Sequence, residues 1–141
     1  MRLKLIFLLF LPISFTLNAQ NIQGKWKTFD VKTGKEQSVV RLFIENDKLY
    51  GEVIEFLGEF KNKNLKCEDC PGVLNDKPLL GMQIINGLKK NGSQWKGKNA
   101  LFDPETKKYY RCAIFLKEKN VLAVKGFLGP FSETRESHRI M

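Results

Sequence analysis

Histidine is almost absent from this chain: His138 is the single copy, and only three cysteines, Cys67, Cys70 and Cys112, accompany it. That scarcity removes much chemistry. Neither a Gly-x-Ser-x-Gly nucleophile turn nor a His-Glu-x-x-His metal helix occurs, so no recognisable hydrolytic apparatus is present. A structural zinc normally takes four nitrogen or sulfur ligands. A Cys3His set would have to unite a loop, a mid-strand residue and the chain's end, so neither a metal nor any other cofactor is expected. Internal repeats and low-complexity tracts are also missing, and no second hydrophobic run follows the N-terminal one. A membrane-spanning helix needs about 20 apolar residues, and none is expected.

The N-terminal run has a different use. Arg2 and Lys4 precede an apolar stretch from Leu5 to Phe15, and "FTLNAQ" offers cleavage after Ala19. A basic start, a short apolar core and a small residue at the cut predict a secretory signal peptide over 1–19. The protein is therefore expected to be exported, periplasmic or secreted, with residues 20–141 forming one domain. The leader holds two of the 24 Lys and Arg residues, so the remainder stays basic against its 15 acids. The lysines are scattered along the chain, as in a solvated surface.

Short alternating segments fill the rest. "GKWKTFD" (24–30) opens the series, and "SVVRLFIE" (38–45) sets Val40, Leu42 and Ile44 on one face. "LYGEVIEF" (49–56), "SQWKGKNALF" (93–102), "YYRCAIFL" (109–116), "VLAVKGFLG" (121–129) and "TRESHRI" (134–140) follow, with turn residues between them. Period-two alternation turns one face of each strand to a core. Successive hairpins leave two open edges unless the sheet closes, and about eight strands suffice for an up-and-down barrel. The expected fold is thus all-β, an antiparallel barrel of about eight strands. "LLGMQIINGL" (79–88) fits neither period and is readable as a strand or a short helix. The segment 58–78 has little apolar content and is expected to be a long surface loop.

Within that loop "CEDCPG" sets Cys67 and Cys70 in a Cys-x-x-Cys spacing. An oxidising export compartment favours a local disulfide, though a plain thiol pair, redox exchange and metal traffic share the same spacing. Glu68 and Asp69 lie between the thiols and disfavour a reactive thiolate. Cys112 alternates with Tyr110 and Ile114, which points it to the core. The acids of "FDPETKKYY" (Asp103, Glu105) and the trio Glu52, Glu55 and Glu59 read as turn and surface residues, not as an acid–base pair.

Six phrases in order, "GKWKTFD", "KLYGEVI", "CEDCPG", "KPLLGMQIINGL", "WKGKNALFDPETKKYYRC" and "LAVKGFLG", resemble the exported bacterial family called domain of unknown function 2147. The opening Gly-x-Trp is similar to that of lipocalin-like barrels, the calycins. The resemblance implies a lipocalin-like barrel and export, with no established activity. It also implies that a C-terminal Arg packs on the N-terminal Trp and plugs one end. Trp26 with Arg139, or alternatively Arg135, is the candidate pair. The tail "SETRESHRI" lacks the Trp that the family's pattern carries near its last Arg.

An eight-stranded barrel either packs solid or holds one small ligand. The leading expectation is a non-enzymatic barrel binding a small apolar or amphipathic molecule. Val40, Leu42, Leu49, Val53, Trp95, Leu101, Tyr110, Ile114, Leu122 and Val124 would line its interior. The alternative is a module binding an envelope protein or anionic surface through its basic outer face and the 58–78 loop. A nucleic-acid partner is not expected, because the aromatics mostly fall on alternating strand positions.

Overall fold

The computed structural model describes residues 11–12 and 21–141, so the leader expected over 1–19 lies outside the described residues apart from Leu11 and Pro12. Eight strands succeed one another as antiparallel neighbours: β1 (Gly24–Phe29), β2 (Glu36–Glu45), β3 (Lys48–Phe56), β4 (Gln83–Asn91), β5 (Gln94–Asp103), β6 (Lys108–Glu118), β7 (Val121–Leu128) and β8 (Phe131–Arg139). The order is sequential and the sheet closes on itself through β1 and β8. Local turn chemistry makes this meander. Asn46 and Asp47 adopt φ of 50° and 62° between β2 and β3, the left-handed pair that a two-residue hairpin needs and that Asn and Asp tolerate.

Alternation then sorts the side chains. On β6, Cys112 and Ile114 are buried while Arg111 stands in solvent. On β2 a register shift falls between Val39 and Val40, and both are buried. Ile44 keeps the parity of Val40 and Leu42 but lies at the barrel's end and is 36% exposed. The ambiguous segment 79–88 resolves into a lead-in and strand β4. Its period is broken because Gly87, at φ 73°, accompanies a register shift between Ile85 and Lys89. The shift puts the buried Ile85 and Leu88 three residues apart, a spacing that mimics a helix.

One end of the barrel is packed solid by Leu42, Leu49, Leu88, Trp95, Cys112 and Ile114. Gly51 allows the close approach there: a Cβ on it would sit 2.8 Å from Ile85 Cδ1 and 2.9 Å from Leu42 Cδ2. Trp26 is fully buried and its indole Nε1 donates to the Ile22 carbonyl at 2.9 Å. The Arg139 guanidinium lies 4.3 Å from the Trp26 ring centre. It also donates to the carbonyls of Gln23 at 2.9 Å, Asn21 at 2.6 Å and Lys119 at 3.3 Å. It thus joins the N-terminal segment, the β6–β7 turn and the last strand, while Arg135 sits higher on β8 and does not reach Trp26.

Hydrogen bonds to a charged group contribute about 1.5–3 kcal/mol each and a cation–π contact about 0.5–2. Allowing for incomplete additivity, Arg139→Ala is expected to lower unfolding free energy by about 2–4 kcal/mol in urea titration. Arg139→Lys, with a point charge in place of the planar fork, is expected to recover less than half of that.

Candidate functional site

The interior is not filled at the other end. Above Trp26 a cavity of about 570 Å³ opens between the strands. Its floor is Trp26, Leu42 and Leu122, and its walls carry Val40, Val53, Ile85, Leu101, Tyr110 and Val124. Gly126 faces it without a side chain, and the nearest atom to a Cβ there, Leu101 Cδ2, is 3.8 Å away. Of the ten positions that alternation assigns to the interior, Leu49, Trp95 and Ile114 lie in the packed end, and the other seven line the cavity.

The long β3–β4 connection covers one side of the mouth. It contains single 3-10 turns at Gly58–Phe60 and Gly72–Leu74. Residues 65–67 and 77–79 run side by side: the Cys67 amide donates to Lys77 at 2.8 Å and the Leu79 amide to Leu65 at 2.9 Å. Phe60, Leu65 and Leu79 from this segment contribute to the cavity lining. Cys67 and Cys70 form a disulfide. They are 2% and 6% exposed, in a second apolar cluster with Met82 and Phe102. The segment is the long surface loop expected, most of it exposed, and the disulfide cluster gives it a small core of its own, a strap across the mouth. Its polar composition hid that core, because the apolar residues that anchor it are single and aperiodic.

Several polar groups in the cavity wall are tied to one another, while Glu136 is paired with Lys117 outside the lining. Thr28 and Ser38 hydroxyls are 2.7 Å apart, and the Tyr110 hydroxyl donates to Thr106 Oγ1 at 2.8 Å at the rim. Arg135 Nε donates to Glu133 at 3.4 Å. Sequence reasoning passed over Glu133 and Arg135 as lining residues, although parity with Arg139 would have found them: 139, 137, 135 and 133 share a face. His138 has the opposite parity, lies outside the lining and meets the Phe29 ring edge-on at 5.0 Å. Cys112 is enclosed in the packed end, where burial pushes its thiol up to about 12. Among the described residues no group of three His, Cys, Asp or Glu side chains is arranged to hold a metal. No helix among them is long and apolar enough to cross a membrane.

A meander of eight antiparallel strands, plugged at one end by an Arg–Trp stack and hollow at the other, defines a lipocalin-like barrel. The chain belongs to the family described as "Uncharacterized protein conserved in bacteria (DUF2147)", which it matches over residues 24–139. Among solved structures it is similar to HP1028 from the human pathogen Helicobacter pylori, described as belonging to the lipocalin family. The TM-score is 0.72 at 20% identity, over 86% of this chain and 84% of that one. At that identity the likeness speaks for the fold. Among curated proteins no sequence matches the chain.

Two outcomes follow from the cysteines. The native Cys112 thiol should resist labelling by a soluble disulfide reagent until the protein unfolds. Its folded state holds the proton more tightly than the unfolded chain, whose thiol titrates near 9.0. Cys112 therefore contributes stability that is intact below that pH and declines as pH rises toward about 12, an effect that Cys112→Ala should remove from the pH–stability curve. Replacing Cys67 and Cys70 by Ala, which keeps this buried cluster apolar, should lose little loop-closure entropy, since the ring they close is short, whereas Ser at both positions should cost more, because each buried hydroxyl lacks a partner. Proteolysis should then begin within 58–78 while the barrel stays folded.

Proposed function

We propose that this protein is a non-enzymatic carrier that binds one small apolar or amphipathic molecule inside the barrel after export. The observation that carries the reading is the one-ended cavity. Its volume of about 570 Å³ falls within the range of roughly 300–1,000 Å³ usual for small-molecule sites. Apolar side chains form its floor and most of its wall, so transfer of an apolar ligand from water would be favoured by about 25 cal/mol per Å² buried. The polar pairs lie higher, where Tyr110 meets Thr106 and Arg135 meets Glu133, which suits a molecule with a polar end toward the mouth. The hydroxyl and ion pairs satisfy one another, and the chain's single histidine lies outside the cavity, which supports binding in preference to catalysis. Export rests on the leader at 1–19 and is consistent with the Cys67–Cys70 disulfide.

Native mass spectrometry of gently purified protein, together with uptake of an environment-sensitive apolar dye, tests this reading. The expected result is a one-to-one adduct and a saturable dye signal. Gly126→Leu places a side chain in the open space beside Leu101 and should weaken dye binding at least about 10-fold with the melting temperature unchanged or raised. A protein that takes up neither ligand nor dye, and binds the same with Leu at 126, would defeat the proposal.

A further inference from the structure

The lysines that look scattered in the sequence are not scattered in space. At the mouth, charges balance: the β1–β2 turn sets Asp30 and Glu36 against Lys32 and Lys35, and the strap 57–82 holds four acids and four lysines. At the plugged end Lys25, Lys48, Lys89, Lys90, Lys96 and Lys119 are all exposed, against Glu45, Asp47 and Glu118. Among the described residues, none of these six lysines has a carboxylate within ion-pair distance, whereas Lys27, Arg41, Lys107, Lys117 and Arg135 do.

Three of the six form a row. Lys48 on β3 is directly opposite Lys89 on β4, and Lys89 is directly opposite Lys96 on β5. The buried neighbours Leu49, Leu88 and Trp95 turn inward, so the three ammonium groups project from the outer wall. Like charges directly opposite across strands are destabilising, and strand spacing makes the row only about 10 Å long. Glu45, directly opposite Lys48 on β2, is the one acid in register with the row; it makes no ion pair with Lys48, and neither Lys89 nor Lys96 faces an acid across the strands. An external anion would offset the repulsion that remains.

We propose that the outer flank of β3, β4 and β5 at the plugged end is a docking face for an anionic lipid surface, which it meets with the mouth turned away. The composition favours a diffuse charged surface. All six groups are lysine, a hydrated point charge, where bidentate recognition of single carboxylates or phosphates favours arginine. The exposed aromatics Tyr109 and Phe131 lie at the mouth end. Beside the row, Tyr50 is half-buried and stacked on Phe43 at 5.6 Å, with Arg41 over the Phe43 ring, so these faces are already occupied and offer little to a nucleic-acid base.

Co-sedimentation of the purified protein with vesicles tests the proposal. Binding is expected to vesicles of phosphatidylglycerol mixed with phosphatidylcholine and not to phosphatidylcholine alone. It should disappear between about 0.1 M and about 1 M salt, as the screening length falls from ~10 Å to ~3 Å. The triple variant Lys48→Gln, Lys89→Gln, Lys96→Gln should bind roughly 100-fold more weakly. Its melting temperature should not fall, because repulsion within the row is relieved. The matched variant Lys61→Gln, Lys63→Gln, Lys66→Gln removes as many charges from the strap and should retain wild-type binding. Equal loss in both variants, binding indifferent to phosphatidylglycerol, or binding to a single-stranded oligonucleotide that is tighter than to the vesicles and lost in the same triple variant would each overturn the assignment.

Discussion

The Arg139 guanidinium, laid over Trp26 and hydrogen-bonded to carbonyls of two other segments, is the contact on which the rest of the barrel depends. β1 and β8 pair at only two positions, Trp26 with Arg139 and Lys27 with His138. β7 and β8, by comparison, pair along their whole length. A seam that short cannot be held by ladder hydrogen bonds alone. Stacking on an indole that is itself anchored to Ile22 supplies the missing cohesion, and it does so across elements that the ladder does not reach. Closure in turn removes both sheet edges, which an open meander would leave as templates for aggregation.

Placing that plug at one end makes the barrel asymmetric. Large side chains crowd the plugged half, to the point that Gly51 has no room for a Cβ. The other half has Gly126 where a side chain would fit and short hydroxyl residues at Thr28 and Ser38. The hollow is therefore built into the interior sequence and does not result from loose packing. The disulfide strap adds a roof: its inner residues contribute to the cavity and its outer residues pack on Met82 and Phe102. The same segment thus fixes itself to the wall and narrows the opening.

Most strands were legible because alternation survives wherever pairing is regular, as along Tyr110, Cys112 and Ile114. It failed at bulges. Gly87 restores parity after Ile85 by an extra residue, and no one-dimensional period registers that. Interior parity also says nothing about depth, so Leu49 and Trp95 could not be told from Val53 and Leu101 without knowing which end is plugged. The small core of the strap escaped for another reason: Phe60, Leu65 and Leu79 are half-buried by tertiary contact, at the cavity and for Leu79 also at the disulfide cluster, and isolated apolar residues carry no periodic signal. The charge distribution escaped because successive hairpins alternate between the two ends. Residues 48, 90 and 119 are far apart along the chain, yet belong to alternate connections at one end.

The Arg139 contact also sets the order of events in folding. Its partner Gln23 is 116 residues away in sequence, whereas every other strand pairing joins neighbours in the chain. Hairpins can accumulate one after another as the polypeptide emerges, but the circle cannot shut until the last strand arrives. Until that moment β1 and β8 are both unsatisfied edges. Closure is thus the pairing with the largest sequence separation and the greatest loop-closure cost, and until it forms two strand edges stay open to other chains.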